Sequence, residues 1–160
     1  MYAATAPRAT ALHRTDTLVQ SWLFERQQLT ALLCTLPDLH NQDALMAPAQ
    51  QAHLVGFCEA LMDYISAGHF EIYRRIIHQS LPLYPEDARW VLDTMDLIDA
   101  STDAALAFND QLDQQLAQGG SDSRLVLQLA ALVQCLEQRF GLEDQLIRRC
   151  HLRDHAATRH

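Results

Sequence analysis

A sustained 3.6-residue period runs through the middle of the chain. Leu54, Phe57, Cys58, Leu61, Ile65, Gly68, Ile72 and Ile76 fall on one face of a single long helix. A strand cannot use this spacing, because its side chains alternate between faces at every residue. The helix is expected from about Gln50 to His78, with Pro82 and Pro85 closing the region beyond it. Gly68 lies inside the stripe, where glycine costs about 1 kcal/mol relative to alanine. Close approach by a neighbouring helix or a slight kink is expected there.

Three further segments carry the same periodicity. The first runs from about Asp16 to Leu36, with Leu18, Trp22, Leu29, Leu33 and Leu36 inward and Arg26 beside them. After the loop Pro37–Pro48 and the long second helix, a third helix is expected from about Glu86 to Ala117. Acids in its first turn suit the helix dipole. Its inward positions are Val91, Met95, Ile98, Thr102, Ala105, Asn109 and Leu112. Gly119-Gly120 break the chain, and Ser121 or Ser123 is the capping candidate for a fourth helix reaching Cys150. Leu125, Leu129, Leu132, Leu136, Phe140, Glu143 and Ile147 form its stripe. With only five Gly and five Pro, the chain lacks the turn residues of a sheet-rich fold. The expected fold is all-α: one domain over 1–160, an antiparallel four-helix bundle of long helices. Residues 1–15 and 151–160 are expected to be flexible ends.

The charge balance excludes several functions. The formal net charge is −8, and all twelve basic residues are Arg. An acidic chain is repelled by nucleic acid and by anionic membrane, and a basic partner is attracted to it. No stretch approaches the roughly 18 apolar residues of a membrane span, and the first residues lack the apolar region of a secretory signal. The four cysteines, Cys34, Cys58, Cys135 and Cys150, form no CxxC pair, so reduced thiols in a cytoplasmic protein are expected. No P-loop, Gly-rich dinucleotide motif, G-x-S-x-G or Glu-x-x-His occurs, so neither an enzyme nor a cofactor is expected. His151 and His155 at i and i+4, beside Cys150, have a zinc-compatible spacing but fall in the polar tail. A metal-binding bundle using that pair or His69 is the alternative from another class.

Candidate residues come from positions that break the helical pattern. Opposite its stripe, the second helix carries Glu59, Asp63, Ser66, Phe70, Tyr73, Arg74 and Ile77. Large apolar groups where solvent is expected suit a protein partner, with aromatic side chains as anchors. The other reading is that a neighbouring helix covers this face. Arg26, Tyr64, His69, Asn109 and Glu143, with Asp144 adjacent, lie in or beside the stripes. Such groups must pair with one another or face a wet groove, as a structural network or as a binding cavity. Asp93, Asp96, Asp99, Asp103 and Asp110 form a ridge on the third helix, either a simple solvated face or a surface that steers a basic partner.

The segment FCEALMDYISAGHFEIYRRIIH, Phe57 to His78, resembles the most characteristic stretch of the Rsd/AlgQ family of anti-sigma factors. WLFERQQL (Trp22 to Leu29), AALAFND (Ala104 to Asp110) and RFGLEDQLI (Arg139 to Ile147) are similar to the family as well, so the resemblance touches all four helices. It implies a helical bundle that binds the C-terminal, promoter-reading domain of the housekeeping sigma factor and lowers its availability to RNA polymerase. In the AlgQ branch it also implies a link to alginate and virulence regulation. By position, the resemblance makes Asp63, Ser66 and Phe70 sigma contacts, with Trp22 and Arg26 in the first-helix motif. Tyr64, His69, Arg139, Glu143 and Asp144 match the family's polar positions. It further allows the sugar-phosphotransferase carrier HPr as another partner, and self-association through the exposed second-helix face stays open. Gln20-Ser21 depart from the acidic residue and Arg usual before the tryptophan.

Overall fold

Helical periodicity and the two long apolar stripes on either side of the glycine pair translate directly into the observed rods. The computed structural model describes residues 5–36, 47–119, 124–153 and 156. Helix α1 spans Thr5–Thr35, α2 Pro48–Ala67, α3 Tyr73–Ser80, α4 Ala88–Gln118 and α5 Arg124–Leu146. A π-helical turn, Gly68–Ile72, joins α2 to α3 into one rod, and a second, Ile147–Leu152, extends α5. Among the described residues the architecture is all-α. Its four rods run antiparallel to their chain neighbours: Thr15 meets Gln79 while Trp22 meets Tyr64, and Ser101 meets Arg139 while Asp87 meets Arg149.

Every residue of the second-helix stripe is buried. The stripes of the other helices turn mostly inward, with Leu18, Leu33, Met95, Thr102, Asn109 and Phe140 half-buried and Val19, Phe108 and Leu146 added to the core. The core has two halves. Leu36, Leu54, Phe57, Leu112, Leu125, Leu129 and Leu132 make one half largely apolar, although Gln115 is buried as well. Toward the other end of the same helices, Trp22, Tyr64, Tyr73, Arg139 and Glu143 fill the interior.

Within the described residues, both expected flexible ends need correction over 5–15 and 151–153. Helix α1 starts at Thr5, not near Asp16, and buries Leu12 and Thr15. At the far end, Cys150 and His151 are buried rather than frayed, and His151 Nε2 lies 3.1 Å from Asp16 Oδ1. His151 thus reaches α1 through Asp16, while the second π turn rests mainly on α3. Periodicity could not show this, because the early turns carry few apolar residues. The candidate zinc partner His155, most of the loop Pro37–Pro48, and the capping candidates Ser121 and Ser123 lie outside the described residues.

The third helix opens on a short 3₁₀ turn, Pro85–Asp87. The buried Asp87 does not serve the helix dipole alone; its carboxylate takes Arg149 at 2.8 Å and also Arg153. Arg149 lies over Trp90 and Arg153 over Tyr84, which clamps the start of α4 to the end of α5. Gly119, with φ 66°, ends α4 in the left-handed conformation that side chains disfavour.

A second correction concerns Tyr73, expected on the outer face of the second helix. It is buried, together with Ile76 and Ser80. The π turn supplies the reason. Its wider i→i+5 bonding inserts one residue into the helix, so everything beyond it rotates by about one position. Tyr73 thereby takes the inward direction that Ile72 would hold in an uninterrupted α-helix.

Candidate functional site

The expected contact residues divide sharply by depth. Asp63, Ser66 and Phe70 lie together on the outward strip of the α2–α3 rod, and Phe70 is 77% exposed. It is the most exposed of the large hydrophobic side chains among the described residues. Asp63 stands between two grooves. One, of about 590 Å³, runs between α1 and α2 and is lined by Glu25, Gln28, Leu32 and Ala60. The other, of about 440 Å³, lies toward α4 among Glu59, Asn109 and Asp113. Partial burial, then the nearby Asp63 and Glu71, raise the Glu25 carboxyl above its ordinary range. Beyond Phe70 the surface continues over Glu71, Arg74, His78 and Leu81.

Beneath that strip sits the polar half of the core. Glu143 and Arg139, one helical turn apart on α5, are both fully buried. The Tyr64 hydroxyl donates to the Glu143 carboxylate, at 2.9 Å from Oε1 and 2.8 Å from Oε2, and the Tyr73 hydroxyl donates to Oε2 at 2.9 Å. Arg139 Nη2 donates to the Tyr73 hydroxyl at 3.0 Å, and its Nη1 donates to Ser101 Oγ and Thr102 Oγ1 at 2.9 and 2.8 Å. Arg139 Nε lies 3.5 Å from Glu143 Oε1. His69 Nε2 completes this side, 3.0 Å from Thr102 Oγ1.

Arg26 of α1 closes the network toward solvent. Its Nε donates to the Tyr64 hydroxyl at 3.0 Å and its Nη1 to Asp144 at 2.6 Å, with the guanidinium over Phe140. Trp22, expected among the contact residues, is 2% exposed, stacks flat on Tyr64, and donates its indole N–H to the Tyr64 carbonyl at 3.1 Å. Its place is under the strip, not on it. Asn109 also departs from expectation: it joins the α2–α4 groove, away from the network. Tyr73, Ser101 and Thr102 are members that sequence reasoning missed; Thr102 was placed inward, without its hydroxyl being assigned a partner.

Burial sets the electrostatics of this cluster. Burial pushes the Glu143 carboxyl up to about 7, against the pull of Arg139, Arg26 and the two tyrosine hydroxyls. Burial, and then the charge of Glu143, raise both Tyr64 and Tyr73, so both remain hydrogen-bond donors. Burial and the nearby Arg139 lower His69 below its ordinary value, which keeps it neutral at pH 7. Most of these groups satisfy one another, as a structural network requires, while Arg139 Nε and Arg26 Nη2 make only the longer ion-pair approaches to Glu143, at 3.5 and 4.0 Å. Among the described residues no three metal-ligating side chains converge, and no helix is long and apolar enough to cross a membrane.

An acidic and aromatic strip, set on a rigid helical bundle and braced from below by a buried polar cluster, defines a helical docking protein. The comparisons with known proteins specify which. The chain belongs to the family described as regulator of RNA polymerase sigma(70) subunit, Rsd/AlgQ, whose model matches residues 3–151. A "Regulator of sigma D" from Yersinia enterocolitica (serotype O:8 / biotype 1B) is 31% identical over 130 residues, covering 81% of this chain and 78% of the relative. A protein of the same name from Enterobacter sp. (strain 638) is 32% identical over 139 residues, with 81% and 78% covered. One from Yersinia pseudotuberculosis (serotype O:1b) is 30% identical over 130 residues, with 81% and 77% covered. No solved structure matches the chain significantly.

Proposed function

We propose that this chain is an anti-sigma factor. As one helical-bundle domain in the cytoplasm, it binds the C-terminal domain of the housekeeping sigma factor and lowers its availability to RNA polymerase. It does so stoichiometrically and without catalysis. The observation that carries the reading is Phe70, 77% exposed on one strip with Asp63, in a chain of a sigma-regulator family. A domain that grips promoter DNA must be basic, because phosphate contacts dominate its affinity. A partner with formal charge −8 attracts that surface and competes with DNA for it. In this reading Phe70 is the apolar anchor, Asp63 meets a basic side chain, and Ser66 supplies a hydrogen bond between them. Arg26 and Trp22 contribute from behind, through the position they give Tyr64.

The test is titration of the purified sigma domain into the wild type and two variants. Truncating a central aromatic anchor costs about 2 kcal/mol or more, so Phe70→Ala is expected to weaken binding by at least about tenfold. Asp63→Arg is expected to weaken it further at low salt than at high salt, because a like charge then faces the basic domain. Circular dichroism checks that both variants keep their helices. Equal binding by two folded variants would remove the site, and no binding by the wild type would remove the function.

A further inference from the structure

Phe70 lies inside the π-helical turn Gly68–Ile72, and both flanks of that turn are tied to the buried network. On one side, His69 Nε2 sits 3.0 Å from Thr102 Oγ1, which also accepts from Arg139. On the other, the Tyr73 hydroxyl donates to Glu143 and accepts from Arg139. The His69 and Tyr73 rings meet edge to face, with centroids 5.4 Å apart. In the widened turn the step from His69 to Tyr73 makes close to one revolution, so both side chains point inward. The two residues between them and nearest to solvent, Phe70 and Glu71, are left facing outward.

Gly68 makes this packing possible. A Cβ there would lie 3.0 Å from the Tyr73 hydroxyl oxygen and 3.1 Å from Trp22 Cζ2. Tyr73 is therefore folded back against the backbone of the turn it follows. Without the π turn, Tyr73 would rotate out of the core and leave Glu143 and Arg139 each short of a partner. The buried charges and the unusual backbone thus require one another.

We infer that Tyr73 is a positioning residue for partner binding: its hydroxyl, held between Glu143 and Arg139, locks the π turn that displays Phe70. This rests on the reading that Phe70 meets the sigma domain. Tyr73 itself touches no partner, so its effect travels through the fraction of molecules whose turn is formed.

Tyr73→Phe keeps the ring and removes only the hydroxyl. If the formed fraction drops to about one fifth, the apparent Kd for the sigma C-terminal domain rises about fivefold. Amide hydrogen exchange is expected to quicken over residues 68–73 while Leu129–Leu136 stay protected. Thr102→Val, which releases His69 from the other flank, is expected to act in the same direction and decides the matter if Tyr73→Phe does not fold. Leu129→Val, in the apolar half, controls for a plain loss of stability and is expected to leave affinity unchanged. Weakened binding by Phe70→Ala with unchanged binding by folded Tyr73→Phe and Thr102→Val would overturn the positioning role alone. Unchanged binding by Phe70→Ala would overturn the sigma-contact reading and the inference with it. Exchange that quickens equally throughout the molecule would also overturn the inference, since that is the signature of general destabilisation.

Discussion

The two halves of the core are built from the same four rods and do different work. In the apolar half, Leu36, Leu54, Leu112, Leu125, Leu129 and Leu132 interlock through contacts that many other aliphatic side chains would satisfy. In the polar half, Arg26, Tyr64, Tyr73, Arg139 and Glu143 accept few substitutes, because each lost partner strands another group. The apolar half holds the helices together without specifying much about the surface above it. The polar half fixes rotation: it determines which residues of the α2–α3 rod face inward, and so which remain for a partner. The binding strip lies over the half whose geometry is most tightly determined.

The largest expected effect breaks the polar half. Arg139→Met takes the buried guanidinium from Glu143, Tyr73, Ser101 and Thr102, and removing one member of a buried pair costs about 3–5 kcal/mol. Chemical denaturation of the purified variant measures it. A loss under about 1 kcal/mol would mean that the two halves are equivalent. Next comes Leu132→Ala in the apolar half, expected to cost about 3 kcal/mol through lost burial and a residual cavity. Because that half does not set rotation, this variant is expected to keep its affinity for the sigma domain under conditions where it is folded.

The subtlest test is the pH dependence of stability. Burial raises Glu143 in the folded state to about 7 from an ordinary 4.5, so the native protein binds this proton more tightly than the unfolded chain. Its contribution to stability is therefore fully present below about pH 4.5 and is lost as pH rises through about 7. One such proton gives a slope of at most about 1.4 kcal/mol per pH unit. The difference between wild type and Glu143→Gln, followed by denaturation between pH 5 and 8, isolates it. A flat difference would show that Arg139, Arg26 and the tyrosines fully offset the burial of the charge.

The same division separates what was legible from what was not. Leu54 to Ile76 and Leu125 to Ile147 read correctly because each stripe is a local periodic signal. Asp63, Ser66 and Phe70 were placed outward for the same reason. Tyr73 was misplaced because one inserted residue shifts the phase, and nothing nearby except Gly68 marks the insertion. Trp22 carried a family motif but no indication of its depth; its flat stack on Tyr64 exists only once α1 and α2 have docked. The early turns of α1 and the burial of His151 were missed because their partners, Gln79 for Thr15 and Asp16 for His151, lie far away in sequence.

By itself, then, the sequence determined that the chain forms long amphipathic helices, which side chains make their apolar seams, and to which family it belongs. Those properties reside in spacing and local motif. The tertiary structure alone decided the phase of the α2–α3 rod and the pairing of the buried charges. Arg26 meets Asp144 across 118 residues of chain and Tyr73 meets Glu143 across 70. Hydrogen bonds between such distant residues are satisfied only when all four rods are in register, and that mutual requirement is not written in any one segment.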